Sequence, residues 1–167
     1  MSDEDVFLLD SNVFMQAARQ YYAFDFAPGF WEALVEHASQ GRIRSIDWVK
    51  RELEKGNDAL ADWAKGDFAT AFATTARDEV AARYGEIMRW VASQTQYADS
   101  AKTDFADGAD GWLVAYAKVE EKTVVVTQEP LRPDIKWRIP VPNVCQNFGV
   151  LWTDTFEMLR RLQIKLK

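Results

Sequence analysis

Residues 6–14 read VFLLDSNVF, and this stretch decides the fold class. Its apolar start has the length of a strand, and it passes through Asp10 and Ser11 into a helical pattern that begins at Asn12. A short apolar run that leads through a polar turn into a helix is typical of the βα units of parallel sheets. Asp10 is therefore predicted at the carboxyl end of a strand, the end at which open α/β sheets bind their ligands.

The alternation of short apolar runs with helical patterns continues along the 167 residues, of which 48% are hydrophobic. This is enough for one well-buried domain and too little for two, so we expect a single domain over residues 1–167 with a mainly parallel sheet. Strands are predicted at 6–9, 43–46, 123–127 and 149–152. Helices are predicted at 12–19, at 30–40, from an N-cap at Asp47 to Gly56, in an entirely helical insert over the sheet edge at 58–98, and in TFEMLRRL at 155–162.

The composition excludes several classes of site. Cys145 is the only cysteine and His37 the only histidine, which excludes disulfide frameworks, zinc sites with several Cys or His ligands, and chemistry that needs two histidines in one chain. The segment MSDEDVF has no basic region, and no apolar run approaches the ~20 residues of a membrane span, so we expect a cytoplasmic protein without membrane contact. Carboxylates remain as the groups that can carry chemistry.

The net charge of −6 argues against broad nucleic-acid binding, because that mode needs many phosphate contacts from Lys and Arg. The basic residues are locally grouped, so a narrow basic track stays open. Each pair taken alone is more readily explained as ordinary solvated charge. The pairs are Arg42 and Arg44, Lys50 and Arg51, Lys136 and Arg138, and Arg160 and Arg161.

Two further acids lie on the apolar faces of predicted helices. Glu52 falls beside Leu53 on the helical wheel, and an acid on a buried face needs a reason. Asp110 shares a face with Leu113 and lies in the first helical turn, where backbone N–H groups favour an anion. When Asp110 is taken alone, a plain N-cap explains it more readily than a functional role does.

A fourth acid, Glu129, comes two residues after the predicted strand at 123–127. Taken singly it is explained as a solvated loop acid, and Asp10 as a turn residue satisfied by backbone. The set of four is more specific, because carboxylates at one end of a parallel sheet form an oxygen-ligand site for a hard divalent cation. The set consists of Asp10, Glu52, Asp110 and Glu129.

Four segments of the chain resemble the motifs of PIN-domain nucleases, the superfamily that includes the VapC-like toxins of toxin–antitoxin pairs. The segments are LLDSNVF, VKREL, ADGWLVAYA and VVVTQE. QYYAFDFAPGFW at 20–31 and IPVPNVCQNFGVLWTDTFEMLRRL at 139–162 are similar still more closely to an uncharacterised PIN-like bacterial family. The resemblance spans nearly the whole chain and implies a three-layer α/β/α fold with a central parallel sheet of four to five strands.

The resemblance also implies roles for individual residues. Asp10, Glu52 and Asp110 match the first three acids of the superfamily, and Asn12 matches the polar residue that supports the first. The fourth position departs from the pattern, because many PIN proteins carry Asp or Asn directly after the Thr that ends the strand. Here Thr127 is followed by Gln128 and then Glu129, whose longer side chain would reach a metal directly or through water.

The activity that the resemblance implies is metal-dependent hydrolysis of single-stranded RNA by an endoribonuclease. Mg²⁺ or Mn²⁺, held by the four acids directly or through water, would activate a water molecule. The toxin of a toxin–antitoxin pair would also bind an antitoxin protein, and a homodimer is a further candidate assembly. The RNA target, the number of metal ions and any contribution of Asp107 stay open.

Other residues are predicted to support the acids or to contact the substrate. Ser11, Asn12 and Thr127 would orient carboxylates by hydrogen bonds. An aromatic cluster, Tyr21, Tyr22, Phe24 and Trp31, could stack on unpaired bases, but a hydrophobic plug between two helices explains it more readily. The candidate substrate contacts are Arg19, Tyr21, Tyr22, Lys50 and Arg51.

A second function class remains open beside the nuclease. A catalytically weak PIN-like module that binds a protein would carry the same acids without using them. The two hypotheses differ in a simple measurement, because a metal site that forms only in the folded state raises thermal stability when Mn²⁺ is added.

Overall fold

The computed structural model describes residues 4–166, and all element bounds refer to this part of the chain. Strands alternate with helices, and the helices cover both faces of one sheet in a three-layer α/β/α fold. The strands are β1 (Val6–Leu9), β2 (Ile43–Ile46), β3 (Phe72–Ala73), β4 (Thr123–Val126) and β5 (Leu151–Thr153). The helices are α1 (Ser11–Gln16), continued by a π-helical turn (Ala17–Tyr21), α2 (Pro28–Ser39), α3 (Asp47–Glu54), α4 (Ala59–Lys65), α5 (Asp78–Ser93), α6 (Asp99–Asp107), α7 (Asp110–Val119), α8 (Val141–Phe148) and α9 (Thr155–Arg161).

The five strands of the described chain are all parallel and lie in the order β3-β2-β1-β4-β5. The chain therefore builds the sheet outward from β1 in one direction and then returns to build in the other direction from β4. In the register of the central pair, Leu9 lies beside Val126, so β1 and β4 end side by side. A crevice forms at such a reversal of strand order, and ligands of open α/β sheets bind there.

The strand predictions are confirmed in the centre of the sheet and displaced at its edge. The runs at 6–9 and 43–46 match β1 and β2, and the third run ends one residue early at Val126. The predicted strand at 149–152 is shifted toward the C-terminus. Gly149 ends α8 in the left-handed conformation with φ 68°, and the strand begins only at Leu151.

The prediction that 58–98 is entirely helical was wrong. The chain leaves the helical conformation after α4 and forms β3, which pairs with β2 through Ser45–Phe72 and Ile46–Ala73. A strand of two residues is too short to show an alternating pattern, which is why the sequence did not reveal it. The segment thus contributes the edge strand of the sheet as well as helices.

The N-cap predicted at Asp47 was also wrong, since Asp47 is the first residue of α3 and its carboxylate has another function. Asp47 Oδ1 accepts a hydrogen bond of 2.9 Å from Thr75 Oγ1, and Oδ2 accepts one of 3.1 Å from the Thr75 backbone N–H. These two bonds fasten the segment between β3 and α5 to the end of β2.

Aromatic packing fixes α3 and α7 relative to each other. Trp112 stacks on Tyr84 of α5 with ring centroids 3.8 Å apart, and on Trp48 of α3 at 5.6 Å. Gly111 favours the close approach of α5, because an added Cβ would lie only 3.0 Å from the Tyr84 ring. The start of α7 is thereby positioned against α3. Within residues 4–166, no helix is long and apolar enough to cross a bilayer.

Candidate metal centre

Asp10 lies at the carboxyl end of β1 and is 3% exposed. Its backbone N–H donates to Val126 O at 3.0 Å, which continues the pairing of β1 with β4. Thr127 Oγ1 donates a hydrogen bond of 2.9 Å to Asp10 Oδ2. The carboxylate is thus held at the reversal of strand order, as predicted from the end of the apolar run.

Glu52 reaches the same region from α3. Its Oε2 accepts a hydrogen bond of 3.2 Å from Ser11 Oγ, and its Oε1 accepts one of 2.9 Å from the backbone N–H of Ala109. Ala109 precedes the first residue of α7, so Glu52 caps this helix from another element. One carboxylate therefore connects the start of α1, the face of α3 and the start of α7.

Asp110 is the first residue of α7, and 23% of its side chain is exposed. The helix buries the face predicted from its sequence, including Leu113, Val114 and Ala117. Asp110 extends from the same helix start that Glu52 caps. Its Oδ2 lies 3.9 Å from Arg138 Nη2.

Glu129 follows β4 in the loop that leads to α8, and only 12% of its side chain is exposed. Its Oε2 accepts a hydrogen bond of 2.5 Å from Arg138 Nε. Its Oε1 is buried and has no hydrogen-bond partner among the described residues. Because a buried carboxylate oxygen without a partner loses free energy, this atom marks a place for a cation or a proton donor.

The three residues predicted to support the acids all make polar contacts around them. Ser11 donates to Glu52, as described above. Asn12 Nδ2 donates to Thr127 Oγ1 at 3.4 Å, and Asn12 Oδ1 accepts from the Gln128 backbone N–H at 3.2 Å. Thr127 Oγ1 in turn accepts from the backbone N–H of Glu129 at 3.2 Å. The turns after β1 and β4 are therefore held to each other by hydrogen bonds.

The electrostatics of the site reflect several carboxylates near one another. Burial first, and then the charge of Glu129, raises the pKa of Asp10 to about 7, against the opposing hydrogen bond from Thr127. Burial, followed by the charges of Asp10 and Glu129, raises the pKa of Asp110 well above its ordinary range, while Arg138 opposes the rise. The site thus stores electrostatic repulsion that a cation would relieve.

The donor set fits a hard divalent cation in chemistry. Carboxylate oxygens come from four separate segments, and Glu129 Oε1 lacks a partner. The side chains as described do not close around an ion, since among residues 4–166 no group of three or more His, Cys, Asp or Glu stands ready to hold one. Instead, Arg138 occupies one oxygen of Glu129, and hydrogen-bond donors occupy both oxygens of Glu52.

The predicted substrate contacts are dispersed. Lys50 and Arg51 form ion pairs along α3 with Glu54 at 3.7 Å and Asp47 at 3.8 Å. Arg51 also covers the Trp48 ring at 4.9 Å and borders a cavity of about 390 Å³ that Glu52 and Asp107 share. Asp107 is exposed at the end of α6.

The aromatic cluster packs as a plug between α1 and α2. Tyr22 stacks on Phe30 at 4.4 Å, and Phe24 stacks on Trp31 at 4.1 Å. Tyr21 remains 46% exposed, and Arg19 is exposed beside it in the π-helical turn. A cavity of about 460 Å³ lies at this plug and not at the acids. Its lining is mainly apolar and aromatic, so the acids are the better candidates for a chemical site.

Sequence reasoning missed the residue that contacts two of the four acids. Arg138 was noted only as part of a basic pair, although it contacts both Glu129 and Asp110. Trp137, next to it, is 69% exposed. Both border a small cavity of about 140 Å³ that Asp110 also lines. The position of a tryptophan between Lys136 and Arg138 was the available signal.

A family model described as Domain of unknown function (DUF4411) matches residues 7–166. The chain belongs to this family. The matched range begins within β1 and ends beyond α9, so the DUF4411 domain includes all four acids and Arg138. A search of curated proteins finds no match to the chain.

Proposed function

We propose that the protein is a metal-dependent endoribonuclease of the PIN type that hydrolyses single-stranded RNA. The observation that carries the proposal is the gathering of Asp10, Glu52, Asp110 and Glu129 at the carboxyl ends of β1 and β4, with a buried Glu129 oxygen left without a partner. The resemblance of the four acid-bearing segments to PIN motifs supports the same activity.

Each acid would have a distinct role in holding Mg²⁺ or Mn²⁺. Asp10, Asp110 and Glu129 would hold the cation directly, and Glu52, whose two oxygens already accept hydrogen bonds, would act through water. The bound cation supplies positive charge that activates a water molecule and stabilises the leaving oxygen.

The remaining chemistry belongs to residues of the chain. Thr127 keeps the Asp10 carboxylate in one orientation by donating to Oδ2. Glu52 fixes the start of α7 through the Ala109 N–H, and so fixes the position of Asp110. No side-chain nucleophile is required, because water would attack the phosphorus and lose its proton to a carboxylate of the group, while the bond from phosphorus to the leaving RNA oxygen breaks.

A thermal melt with and without Mn²⁺ tests the metal site independently of activity. A ligand at 100 times its Kd stabilises the folded state by about 2.7 kcal/mol, so the wild type should melt several degrees higher with Mn²⁺ than with EDTA. Asp110→Asn should lose most of this shift. Asp25→Asn, which changes an exposed loop acid, is the matched control and should retain it.

Cleavage of a labelled single-stranded RNA tests the reaction. The wild type should cleave with Mn²⁺ or Mg²⁺ and stop with EDTA, whereas Asp110→Asn should be inactive under both conditions. Cleavage that persists in EDTA and in the variant would contradict the proposal, because it would then depend neither on metal nor on Asp110 and would come from a contaminating ribonuclease or another mechanism.

We extend the proposal to the toxin of a toxin–antitoxin pair on the motif resemblance alone. Such a toxin should arrest growth when expressed by itself, and coexpression of the protein encoded beside it should relieve the arrest. Growth that is unaffected by expression of an active nuclease would separate the enzyme from the toxin role.

A protein-binding module is the second candidate. The cavity of about 460 Å³ favours this candidate. Its lining combines the aromatic side chains of Phe24, Trp31 and Trp63 with acidic side chains. This candidate predicts no thermal shift with Mn²⁺ and no cleavage by any variant.

A further inference from the structure

Trp137 is the most exposed large apolar side chain of the described chain, with 69% of its surface accessible. No aromatic ring of residues 4–166 packs against it. An exposed indole at the rim of a polar site is available to stack on a planar group of a ligand. Trp137 lies beside the acids and borders the small cavity that Asp110 lines.

The exposure of Trp137 does not come from a loose loop. Gln96 Nε2 donates to Pro133 O at 2.6 Å and to Ile135 O at 2.7 Å, and the Ala98 N–H donates to Lys136 O at 2.7 Å. Ile135 and Ile139 are buried on either side, at 6% and 2% exposure. The backbone is thus held on both sides of Trp137, and the side chain extends outward from a fixed support.

Arg138 contributes unused hydrogen-bond donors at the same place. Its Nε donates to Glu129 Oε2, and Nη2 lies 3.9 Å from Asp110 Oδ2. Half of the side chain, 52%, is exposed. A guanidinium carries five N–H donors, so several of them remain for a phosphate while the contact with Glu129 persists.

The pairing of the two residues indicates the ligand. An exposed aromatic ring stacks on an unpaired base, and a neighbouring guanidinium pairs with a backbone phosphate. We propose that Trp137 and Arg138 form a contact site for single-stranded nucleic acid at the rim of the acidic centre, Trp137 stacking on a base and Arg138 holding a phosphate near Asp110. This inference rests on the proposed function. It explains how a protein with a net charge of −6 would bind RNA through few basic side chains.

Binding in EDTA tests the site without requiring cleavage. A fluorescein-labelled RNA of 12 mixed adenosines and uridines is titrated with protein, and anisotropy gives the Kd. Stacking and phosphate contacts of ordinary strength predict that Trp137→Ala and Arg138→Gln each weaken binding about tenfold. The control variants, Phe26→Ala for a 67% exposed ring in another loop and Lys136→Gln for the adjacent charge, should change the Kd less than about twofold.

The dependence on salt separates the two contacts. Removing one phosphate contact to a single strand reduces the magnitude of the slope of log K against log salt by about 0.7, so Arg138→Gln should flatten the slope while Trp137→Ala leaves it unchanged. Duplex RNA of equal length should compete poorly, because its bases are already stacked. Equal competition by duplex, or a Trp137→Ala Kd within twofold of wild type, would overturn the stacking contact.

The Mn²⁺ melt keeps this inference distinct from the proposed function. Trp137→Ala should show the full wild-type shift, and Arg138→Gln should show at least as large a shift, since Glu129 then has no competing cation. Normal metal shifts with unchanged RNA affinity would overturn the contact site and leave the nuclease proposal standing. If Trp137→Ala and Arg138→Gln weaken RNA binding as predicted but Mn²⁺ does not shift the melting temperature, the nuclease proposal fails and the contact site stands.

Discussion

Thr127 and Asp10 lie 117 residues apart in the chain, and the Thr127 hydroxyl donates a 2.9 Å hydrogen bond to the buried Asp10 carboxylate. This bond joins the ends of β1 and β4. Burial raises the pKa of the Asp10 carboxyl group, and the hydrogen bond from Thr127 opposes this rise. A single hydroxyl thus couples the stability of the central strand pair to the charge of the site.

Replacing Thr127 by Val should destabilise the protein by about 1–3 kcal/mol at pH 8, because the ionised Asp10 carboxylate loses its donor without a change in side-chain volume. Urea unfolding in EDTA measures the loss. Thr155→Val is the matched control, since Thr155 is 2% exposed and its Oγ1 has no partner among the described residues. The control should be neutral or slightly stabilised. Equal losses in the two variants would contradict the role of Thr127.

The raised pKa of Asp10 predicts a pH dependence of stability. The pKa is about 7 in the folded state and 3.8 without the fold, so the folded state binds the extra proton between these values. The contribution is fully present below pH 4 and is lost as the pH rises through 7. In EDTA, the stability difference between wild type and Asp10→Asn should therefore shift by roughly 1–3 kcal/mol in favour of the variant from pH 5 to pH 8.

The same variant should lose cleavage and most of the stabilisation by Mn²⁺, because a direct ligand is gone. Denaturation of both proteins in EDTA and in Mn²⁺ provides the comparison. If Asp10→Asn is clearly less stable than wild type in EDTA at pH 8 and is equally stabilised by Mn²⁺, Asp10 is a structural turn residue.

Glu52→Ala should destabilise the protein by about 1–3 kcal/mol, because the N–H of Ala109, a residue 1% exposed, would lose its acceptor. Glu52→Gln keeps an amide oxygen for that N–H and should lose less than half as much, while cleavage falls with the charge. Glu54→Ala, two residues along α3, removes only an ion pair with Lys50 whose side chains are 33% and 35% exposed, and should lose less than about 0.5 kcal/mol. A Gln variant as unstable as the Ala variant would argue against this hydrogen bond.

Asn143 should control the loop that carries Trp137. Its side chain accepts from the Arg132 N–H at 3.0 Å and donates to Arg132 O at 2.9 Å and to the Tyr97 hydroxyl at 3.0 Å. Asn143→Ala leaves these groups unpaired and should cost about 1–3 kcal/mol. Limited proteolysis should then cut within residues 129–139 faster than in wild type, and RNA affinity should fall. Unchanged cleavage of this loop would show that other contacts hold it.

Much of the fold followed from local pattern. The runs that became β1 and β4 are almost entirely apolar, and β2 carries an isoleucine at each end, so both their existence and the position of Asp10 could be predicted. The strand β3 could not, because two residues carry no period and its place depends on pairing with β2.

The placement of Glu52 and Asp110 on partly buried helix faces could be predicted, because an acid beside apolar residues on one face of a helix is a local pattern. The placement of Arg138 could not, since its contact with Glu129 depends on the path of an irregular loop and not on helical or strand spacing. The partner of Asp47 was missed for the same reason, because Thr75 reaches it through a turn after β3. Contacts made by loop residues cannot be predicted from helical or strand periodicity, even where the residue types suggest a role.

The order of the strands determines when the site can assemble during synthesis, because β4 comes late in the chain and pairs with β1 at the centre of the sheet. Asp10 leaves the ribosome early, but β4, which must lie beside β1, is made only after residues 123–126 are added, and Glu129 follows still later. Domains acquire their structure as the required segments emerge. Under the proposed function, the growing chain carries no assembled nuclease centre until the segment that bears Glu129 has been made.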